Sequence, residues 1–353
     1  MMRSVVTGGA GFIGSHLVEY LLNEGDEVVV LDNLSTGSAR NLSRVANHPQ
    51  LRITDGSVLD IPTVRTVIRR ADRVFHLAAA VGVRVIVGDT LASLRTNIHG
   101  TENVLEATYC NGATLLLMST SEVYGKNTAD RLTEDSDRIL GSPLRSRWTY
   151  SAAKGIDEAF AHAYWEEYGL DVSIVRLFNT VGPRQTGRYG MVVPSLVSQA
   201  LLGEPLTVFG DGLQTRCFSY VGDVVPAIVS IAEEPRSRGM AYNLGGAEEV
   251  SILDLARRVI SITGSRSPIA LVPYEEAYQS AGFEDMRRRV PDNSKANELV
   301  GYRPRTTVDE MITAVAEDLL ADDGAKLHSE SHGSRPRTEP KRESLDSAVP
   351  AGA

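Results

Sequence analysis

Thr7-Gly8-Gly9-Ala10-Gly11-Phe12-Ile13-Gly14-Ser15-His16 follows the short apolar run Ser4-Val5-Val6 and opens a helical pattern that runs to Asn23. Strand, glycine turn and helix are the three parts of a pyrophosphate site. Gly8 permits the tight turn, Gly11 lets a phosphate approach the backbone, and Gly14 lets the helix pack against the strand. Free amides and the dipole at the helix N-terminus favour the anion. Asp32 comes eighteen residues after Gly14 and closes a second apolar run, Val28-Val29-Val30-Leu31. A carboxylate there accepts hydrogen bonds from the ribose 2′- and 3′-hydroxyls and repels a 2′-phosphate, which predicts NAD(H) over NADP(H). A bare glycine pattern also describes an ordinary tight turn. Strand, helix and acid in register argue against that alternative.

Outward from this stretch, apolar runs at Glu27–Leu31, Arg52–Thr54, Arg73–Leu77, Thr114–Met118 and Val172–Leu177 read as buried parallel strands. Helical patterns lie between them at Ile61–Arg70, Thr90–Asn111 and Tyr150–Tyr168. The expected fold is α/β, a Rossmann-type doubly wound parallel sheet with a smaller α/β substrate lobe at the C-terminus. From about Gly182, proline and glycine punctuate shorter segments, and amphipathic helices begin near Ser251 and near Thr307, the latter with Glu310 as a capping box. These features suggest a dinucleotide domain over residues 1–180, a substrate lobe over 181–322, and a disordered tail over 323–353, rich in Ser, Pro, Glu, Arg and Lys.

A net charge of −9 argues against nucleic acid and anionic membrane surfaces as partners. Cys110 and Cys217 read as reduced thiols of a cytoplasmic protein. Cys and His show no metal spacing, no apolar run reaches the length of a membrane span, and the N-terminus leads straight into the first strand without a signal peptide.

The expected chemistry centres on Tyr150 and Lys154, one helical turn apart on the same face. An ammonium beside a phenol favours the phenolate, so Tyr150 can act as a base. Ser119-Thr120-Ser121 ends the preceding strand, at the edge where open α/β sheets bind their ligands.

With these motifs the chain resembles the extended short-chain dehydrogenase/reductase family, in its nucleotide-sugar epimerase/dehydratase/decarboxylase branch. The matches run from residue 3 to about 320 and include Leu77-Ala78-Ala79, Asn97 with Gly100-Thr101-Glu102-Asn103, and Ser119 to Gly125. They continue through Arg176-Leu177-Phe178-Asn179, Gly182-Pro183-Arg184, Pro205 to Gly212, Gln214-Thr215-Arg216 and Arg288-Arg289. The resemblance implies a tightly held NAD, contacted by Gly8, Gly11, Phe12, Ile13, Gly14, Asp32, Asn33, Ser57, Val58, Leu77, Ala78, Ala79, Asn97, Tyr150 and Lys154. It implies a UDP-sugar substrate contacted by Val83, Thr120, Ser121, Asn179, Val193, Thr207, Val208, Phe209, Arg216 and Arg289. A homodimer through the helices at 90–111 and 150–168 is also implied. Ser57 stands where family members commonly carry an acid, and Val181 where a tyrosine often precedes Gly-Pro.

Every branch begins with removal of the O4 proton and oxidation at C4. A 4,6-dehydratase resembles Ser-Thr-Asp-Glu at the strand end, and Ser121 replaces that Asp. The Ser121-Glu122 pair resembles UDP-glucuronate decarboxylases. Against decarboxylation, Met191 replaces an arginine that those enzymes carry, while Arg188 offers a guanidinium three residues earlier. Held by Arg188, a C6 carboxylate could be kept out of alignment for loss of CO₂; a solvated loop charge is the plain alternative. The expected activity is therefore an NAD-dependent 4-epimerase converting UDP-glucuronate to UDP-galacturonate, with Tyr150, Lys154, Thr120, Ser121, Glu122 and Arg188 at the reacting centre. UDP-glucuronate decarboxylase is the second reading. A non-catalytic nucleotide-sugar or NAD sensor is the third, since a fold does not fix a function.

Overall fold

The structure, a computed structural model, describes residues 1–81, 89–187, 190–274, 276 and 286–331. The first half reads β1 (Arg3–Thr7), α1 (Phe12–Asn23), β2 (Glu27–Asp32), β3 (Leu51–Asp55), α2 (Ile61–Ile68), β4 (Arg73–His76), α3 (Thr90–Asn111), β5 (Thr114–Thr120), α4 (Thr149–Tyr168) and β6 (Val172–Leu177). The second half reads β7 (Thr180–Val181), α5 (Val192–Leu202), β8 (Leu206–Phe209), β9 (Thr215–Cys217), β10 (Ser219–Tyr220), α6 (Val221–Glu233), β11 (Ala241–Leu244) and β12 (Glu249–Ser251). It ends with α7 (Ile252–Thr263), β13 (Ile269–Val272), β14 (Arg288–Arg289), α8 (Ser294–Val300) and α9 (Val308–Ser331).

Seven strands form one sheet in the order β11-β6-β5-β4-β1-β2-β3, with every pairing parallel. The chain winds outward from β1 in one direction and then from β4 in the other. This reversal opens a crevice above the carboxyl ends of β1 and β4, where ligands of such sheets sit. The strands alternate in the way a sheet buried on both faces requires. Val6, Val28, Val30 and Leu116 pack on the side of α1 and α6. Val5, Val29, Leu31, Leu115 and Leu117 pack on the side of α2, α3 and α4.

The smaller lobe has its own core, in which Leu196, Val208, Leu255, Val259, Ile312 and Val315 meet. Its two readable caps form. The Ser251 side chain accepts from the Asp254 amide at 3.0 Å, and Thr307 and Glu310 bond reciprocally, Thr307 N–H to Glu310 Oε2 at 2.7 Å and Glu310 N–H to Thr307 Oγ1 at 3.3 Å. The lobe boundary is less simple than a cut at 181. After β7 the chain enters α5, β8 and β9, then returns to the first sheet as α6 and β11 before closing the lobe. Helix α9 also runs on to Ser331, nine residues into the segment set apart as a tail on composition.

Candidate active site

The crevice is a cleft of about 1050 Å³ reaching from the glycine turn, across the strand ends, to β8 and β14 of the smaller lobe. At its dinucleotide end the backbone does most of the shaping. Gly8 has φ +72°, and a Cβ on it would lie 2.7 Å from Ala78 N. A Cβ on Gly14 would overlap Gly8 O and sit 2.8 Å from Gly9 Cα, so this turn accepts glycine alone. Helix α1 starts at Gly11 without a side-chain cap and with no acid in its first turn, leaving its amides available to an anion. Asp32 is buried; its Oδ2 accepts from Ala10 N–H at 2.9 Å and its Oδ1 from Leu34 N–H at 2.8 Å. The carboxylate is thus fixed at the cleft edge with lone pairs remaining for a ribose diol. Glycine cradle, uncapped helix and anchored acid fit a dinucleotide lacking a 2′-phosphate.

Phe12, Ile13, Asn33, Ser57, Val58, Leu77, Ala78 and Ala79 all line this end. Asn97 does not reach it. Its Oδ1 accepts from Ala80 N–H at 2.8 Å, so it pins the loop after β4 from behind.

At the strand end, Thr120 Oγ1 accepts from Glu122 N–H at 3.2 Å and turns residues 121–124 into a 3₁₀ coil. Thr120, Ser121, Glu122 and Tyr150 face the cleft. Behind them lies a buried network: Ser119 Oγ donates to Glu158 at 2.5 Å, Arg176 forks onto Glu158, and Arg176 also reaches the Tyr124 hydroxyl at 2.9 Å. It ties β5, α4 and β6 to the catalytic turn.

Lys154 corrects an expectation. It is 2 % exposed and off the cleft wall, with its Nζ 2.8 Å from Asp157 Oδ2. Its charge is therefore shared with a carboxylate one turn further along α4. Burial, Glu122 and Asp157 together raise the Tyr150 phenol above its ordinary range. Lys154 is not among the groups that shift the phenol here, so the lowering expected from its ammonium is not seen in this arrangement.

Glu122 lies between two guanidinium groups. Arg147 Nη1 donates to its Oε2 at 2.7 Å, and Arg289 Nη1 donates to its Oε1. Burial alone would push this carboxyl up; Arg289 and Arg147 outweigh it and hold it below the usual range. Arg289 also donates to Asn179 Oδ1 at 2.8 Å. Of the neighbouring arginines, Arg289 faces the cleft, while Arg288 points away and pairs with Glu249 at 2.8 Å. Arg216, in register with Arg289, also lines the cleft and donates to Met286 O at 2.8 Å.

In the lobe, Thr207, Phe209, Met191 and Val193 line the cleft. Val208 does not; strand alternation turns it into the lobe core, where it is fully buried. Val83 and Arg188 lie outside the described residues.

Arg147 and Asp157 escaped the sequence reading, although the first stands three residues before Tyr150 and the second three after Lys154. Arg184 was read only as part of a motif. It holds φ +69°, donates to Glu19 Oε2 at 2.6 Å and Asn41 O at 3.0 Å, and its amide donates to Asp318 Oδ2 at 2.7 Å. A non-glycine residue there costs about 1–3 kcal/mol and persists because its surroundings fix it. One residue thus straps the lobe's first loop to α1 and to α9.

Residues 5–315 match the family model described as GDP-mannose 4,6 dehydratase. A UDP-N-acetyl-alpha-D-glucosaminuronate decarboxylase of Bacillus cytotoxicus is 38 % identical over 306 residues, 86 % of this chain and 94 % of that protein. UDP-glucuronic acid decarboxylase 1 of Danio rerio is 37 % identical over 308 residues, 87 % of this chain and 70 % of that protein. Among solved structures, the UDP-glucuronic acid 4-epimerase of Bacillus cereus, in complex with UDP-glucuronic acid and NAD, superposes with a TM-score of 0.82 at 30 % identity, covering 91 % of this chain and 99 % of that one. The chain belongs to the GDP-mannose 4,6 dehydratase family of extended short-chain dehydrogenases/reductases. It is an enzyme of this NAD-dependent group of nucleotide-sugar epimerases, dehydratases and decarboxylases. Among the described residues no helix is long and apolar enough to cross a membrane.

Proposed function

We propose that this enzyme is a UDP-uronate decarboxylase, acting on UDP-glucuronate or its 2-acetamido counterpart and releasing CO₂ and a UDP-pentose. The observation that carries the reading is Glu122, held as a carboxylate by Arg147 and Arg289 at the end of β5. An epimerase must let its 4-keto sugar turn over so that the hydride returns to the other face. A fixed trio of charges at the strand end favours a sugar that stays in one orientation, as decarboxylation with retention at C4 requires. The curated relatives at 37–38 % identity carry decarboxylase names, which supports the same choice over the 4-epimerase expected from sequence.

In this reading Tyr150, ionised once the positive charge that bound NAD⁺ would bring offsets its burial, takes the O4 proton while Thr120 and Ser121 hold O4. Bound NAD⁺ would supply the acceptor for the C4 hydride and the donor for its return. Lys154 pairs with Asp157, and a role at a cofactor ribose hydroxyl requires its ammonium to turn toward the cleft. The 4-keto uronate is a β-keto acid, so the C5–C6 bond breaks and its electron pair passes into the ketone. CO₂ leaves, a solvent proton replaces it at C5, and Tyr150 gives its proton back to O4 as the ketone is reduced. Arg289, Arg216 and Asn179 hold the diphosphate, and Thr207 and Phe209 flank the uracil. Ionised Glu122 is a poor proton donor; its part is to fix the two guanidinium groups.

The test is incubation with UDP-glucuronate and with UDP-N-acetylglucosaminuronate, followed by product mass. The expected product has lost CO₂; a product of unchanged mass that separates from substrate restores the epimerase.

We also propose a homodimer through α3 and α4. Leu91, Tyr109, Ile156 and Tyr168 are exposed on these helices, and Tyr109 and Tyr168 rings lie 5.4 Å apart. Light scattering at micromolar concentration should give twice the chain mass.

A further inference from the structure

Lys154 and Asp157 stand one turn apart on α4, with Nζ 2.8 Å from Oδ2 and side chains only 2 % and 0 % exposed. A buried ion pair adds little stability over an apolar pair of the same size, because both charges give up their water. Stability alone therefore does not explain its place behind the reacting tyrosine.

The pair ends a buried chain of hydrogen bonds with a fixed direction. Ala78, in the loop after β4 at the dinucleotide end of the cleft, donates its N–H to Thr7 Oγ1 at 3.2 Å. The Thr7 hydroxyl is buried, and His76 Nδ1 at 2.7 Å is its one acceptor among the described residues. The hydroxyl therefore donates to Nδ1, and the His76 ring, kept neutral by its burial, carries its proton on Nε2. That N–H donates to Thr101 Oγ1 at 3.1 Å. The Thr101 hydroxyl proton is left for Asp157, to which it is hydrogen-bonded. Every donor from the cleft loop to α4 thus points towards the Asp157 carboxylate. The Lys154 charge faces the same way. It is felt at His76, where it helps to keep the ring neutral, while the Tyr150 phenol is raised by burial, Glu122 and Asp157.

We propose that Asp157 is a positioning residue: it competes with the cleft for the Lys154 ammonium and so sets the pH at which Tyr150 becomes a base. This rests on the reading of Tyr150 as the O4 base given above and adds the residue that tunes it. With Asp157 paired, Lys154 is turned inward and its charge is balanced. When the ammonium turns to the cleft, Tyr150 gains a cation as neighbour, which favours the phenolate. Thr101 keeps the carboxylate in place meanwhile, so the cost of the turn is set by one ion pair. The other charged groups here are Glu122 with Arg147 and Arg289, and Glu158, which Arg176 binds. Each of these acids is held by arginine, so Asp157 is the acid whose removal frees Lys154.

The test reads Tyr150 itself and needs no substrate. Full-length wild type, Asp157→Asn and Asp157→Glu, purified with their bound dinucleotide, are titrated by ultraviolet difference absorption. The spectrum of the matching Tyr150→Phe protein is subtracted from each to isolate one phenolate. In Asp157→Asn that phenolate should form about one pH unit or more below wild type, the effect of one unbalanced charge at close range. Asp157→Glu keeps the charge and should titrate nearer to wild type. With UDP-glucuronate, the acidic limb of the kcat profile should be displaced by the same amount. An unmoved phenolate, whatever the change in melting, makes Asp157 a structural residue and overturns the proposal, as does a phenolate displaced upward. Should Asp157→Asn not fold, Asp157→Ser carries the same expectation; failure of both to fold assigns the carboxylate to the core and also overturns it. If the phenolate moves as expected while Tyr150→Phe still turns over, the reading of Tyr150 as the base falls and the coupling of Asp157 to it stands.

Discussion

The two ends of the cleft are built by different means. The dinucleotide end is a backbone construction, in which Gly8 and Gly14 leave no room for a Cβ and α1 begins uncapped. The sugar end is assembled from side chains that come from distant parts of the chain: Glu122 from the turn after β5, Arg147 from the turn before α4, Arg289 from β14. Shape made of backbone depends on a few residues close in sequence. Shape made of side chains depends on many residues brought together by folding. The first kind tolerates no substitution in the turn itself, and the second can be retuned one residue at a time, which suits a family whose members share a cofactor and differ in sugar chemistry.

The largest expected effect is at the junction of the two ends. Tyr150→Phe should lower kcat by about 10²- to 10⁴-fold, the value of a general base, while bound NAD persists. Turnover close to wild type would remove Tyr150 from the reaction.

Next comes a test of the backbone end. Gly14→Ala should cost about 3 kcal/mol, because the new methyl meets fixed backbone rather than a movable side chain. The measurement is a thermal melt together with the NAD content of the purified protein, and retention of both would show that the turn can relax. Arg184→Ala tests the side-chain construction and should cost roughly 1.5–3 kcal/mol, the value of a charged hydrogen bond. Its signature differs: the glycine turn is intact, so NAD still binds but exchanges faster, and KM for the UDP-sugar rises. A protein that no longer binds NAD at all, with KM unchanged, would erase the distinction between the two ends.

At neutral pH the smallest effect concerns protonation, and it grows only as acid is added. His76 at the end of β4 is fully buried between Thr7 and Thr101, and burial, aided by Lys154, lowers its pKa to about 3. The unfolded chain takes up a proton near the ordinary histidine value of about 6.5 and the folded one does not. Stability from this residue is therefore complete above about pH 6.5 and declines as pH falls towards 3, by up to ~1.4 kcal/mol per unit. The melting temperature of wild type should fall more steeply with acid over that window than that of His76→Asn; equal slopes throughout would place a proton on the folded histidine.

The same contrast explains what could be read before folding. Gly8 to Gly14, Asp32 and the cap at Thr307 are local, so their geometry follows from spacing. Tyr150 and Lys154 share a helix face for the same reason. Asp157 was equally local, yet nothing in the spacing sets it apart from the other acids of the helix, and only its burial does so. Helix α6 escaped because Gly222 and Pro226 interrupt its pattern, and β11 because its partner β6 lies more than sixty residues away. Val208 was assigned to the ligand with its neighbours, although the two-residue period of a strand already separates it from Thr207 and Phe209. The pairing of Glu122 with Arg289 spans 167 positions, and no local signal announces it.

The strap at Arg184 has a kinetic consequence. It closes the lobe's loop onto α1, whose first residues form the dinucleotide floor, so the segment that borders the cleft is tied down at three points. An oxidoreductase that changes the redox state of its substrate would stall behind such a loop, because it must exchange cofactor in every cycle. In the proposed reaction each hydride removed is returned, so the cofactor ends each cycle as it began. Slow exchange then places no ceiling on turnover, and one bound molecule can serve many rounds.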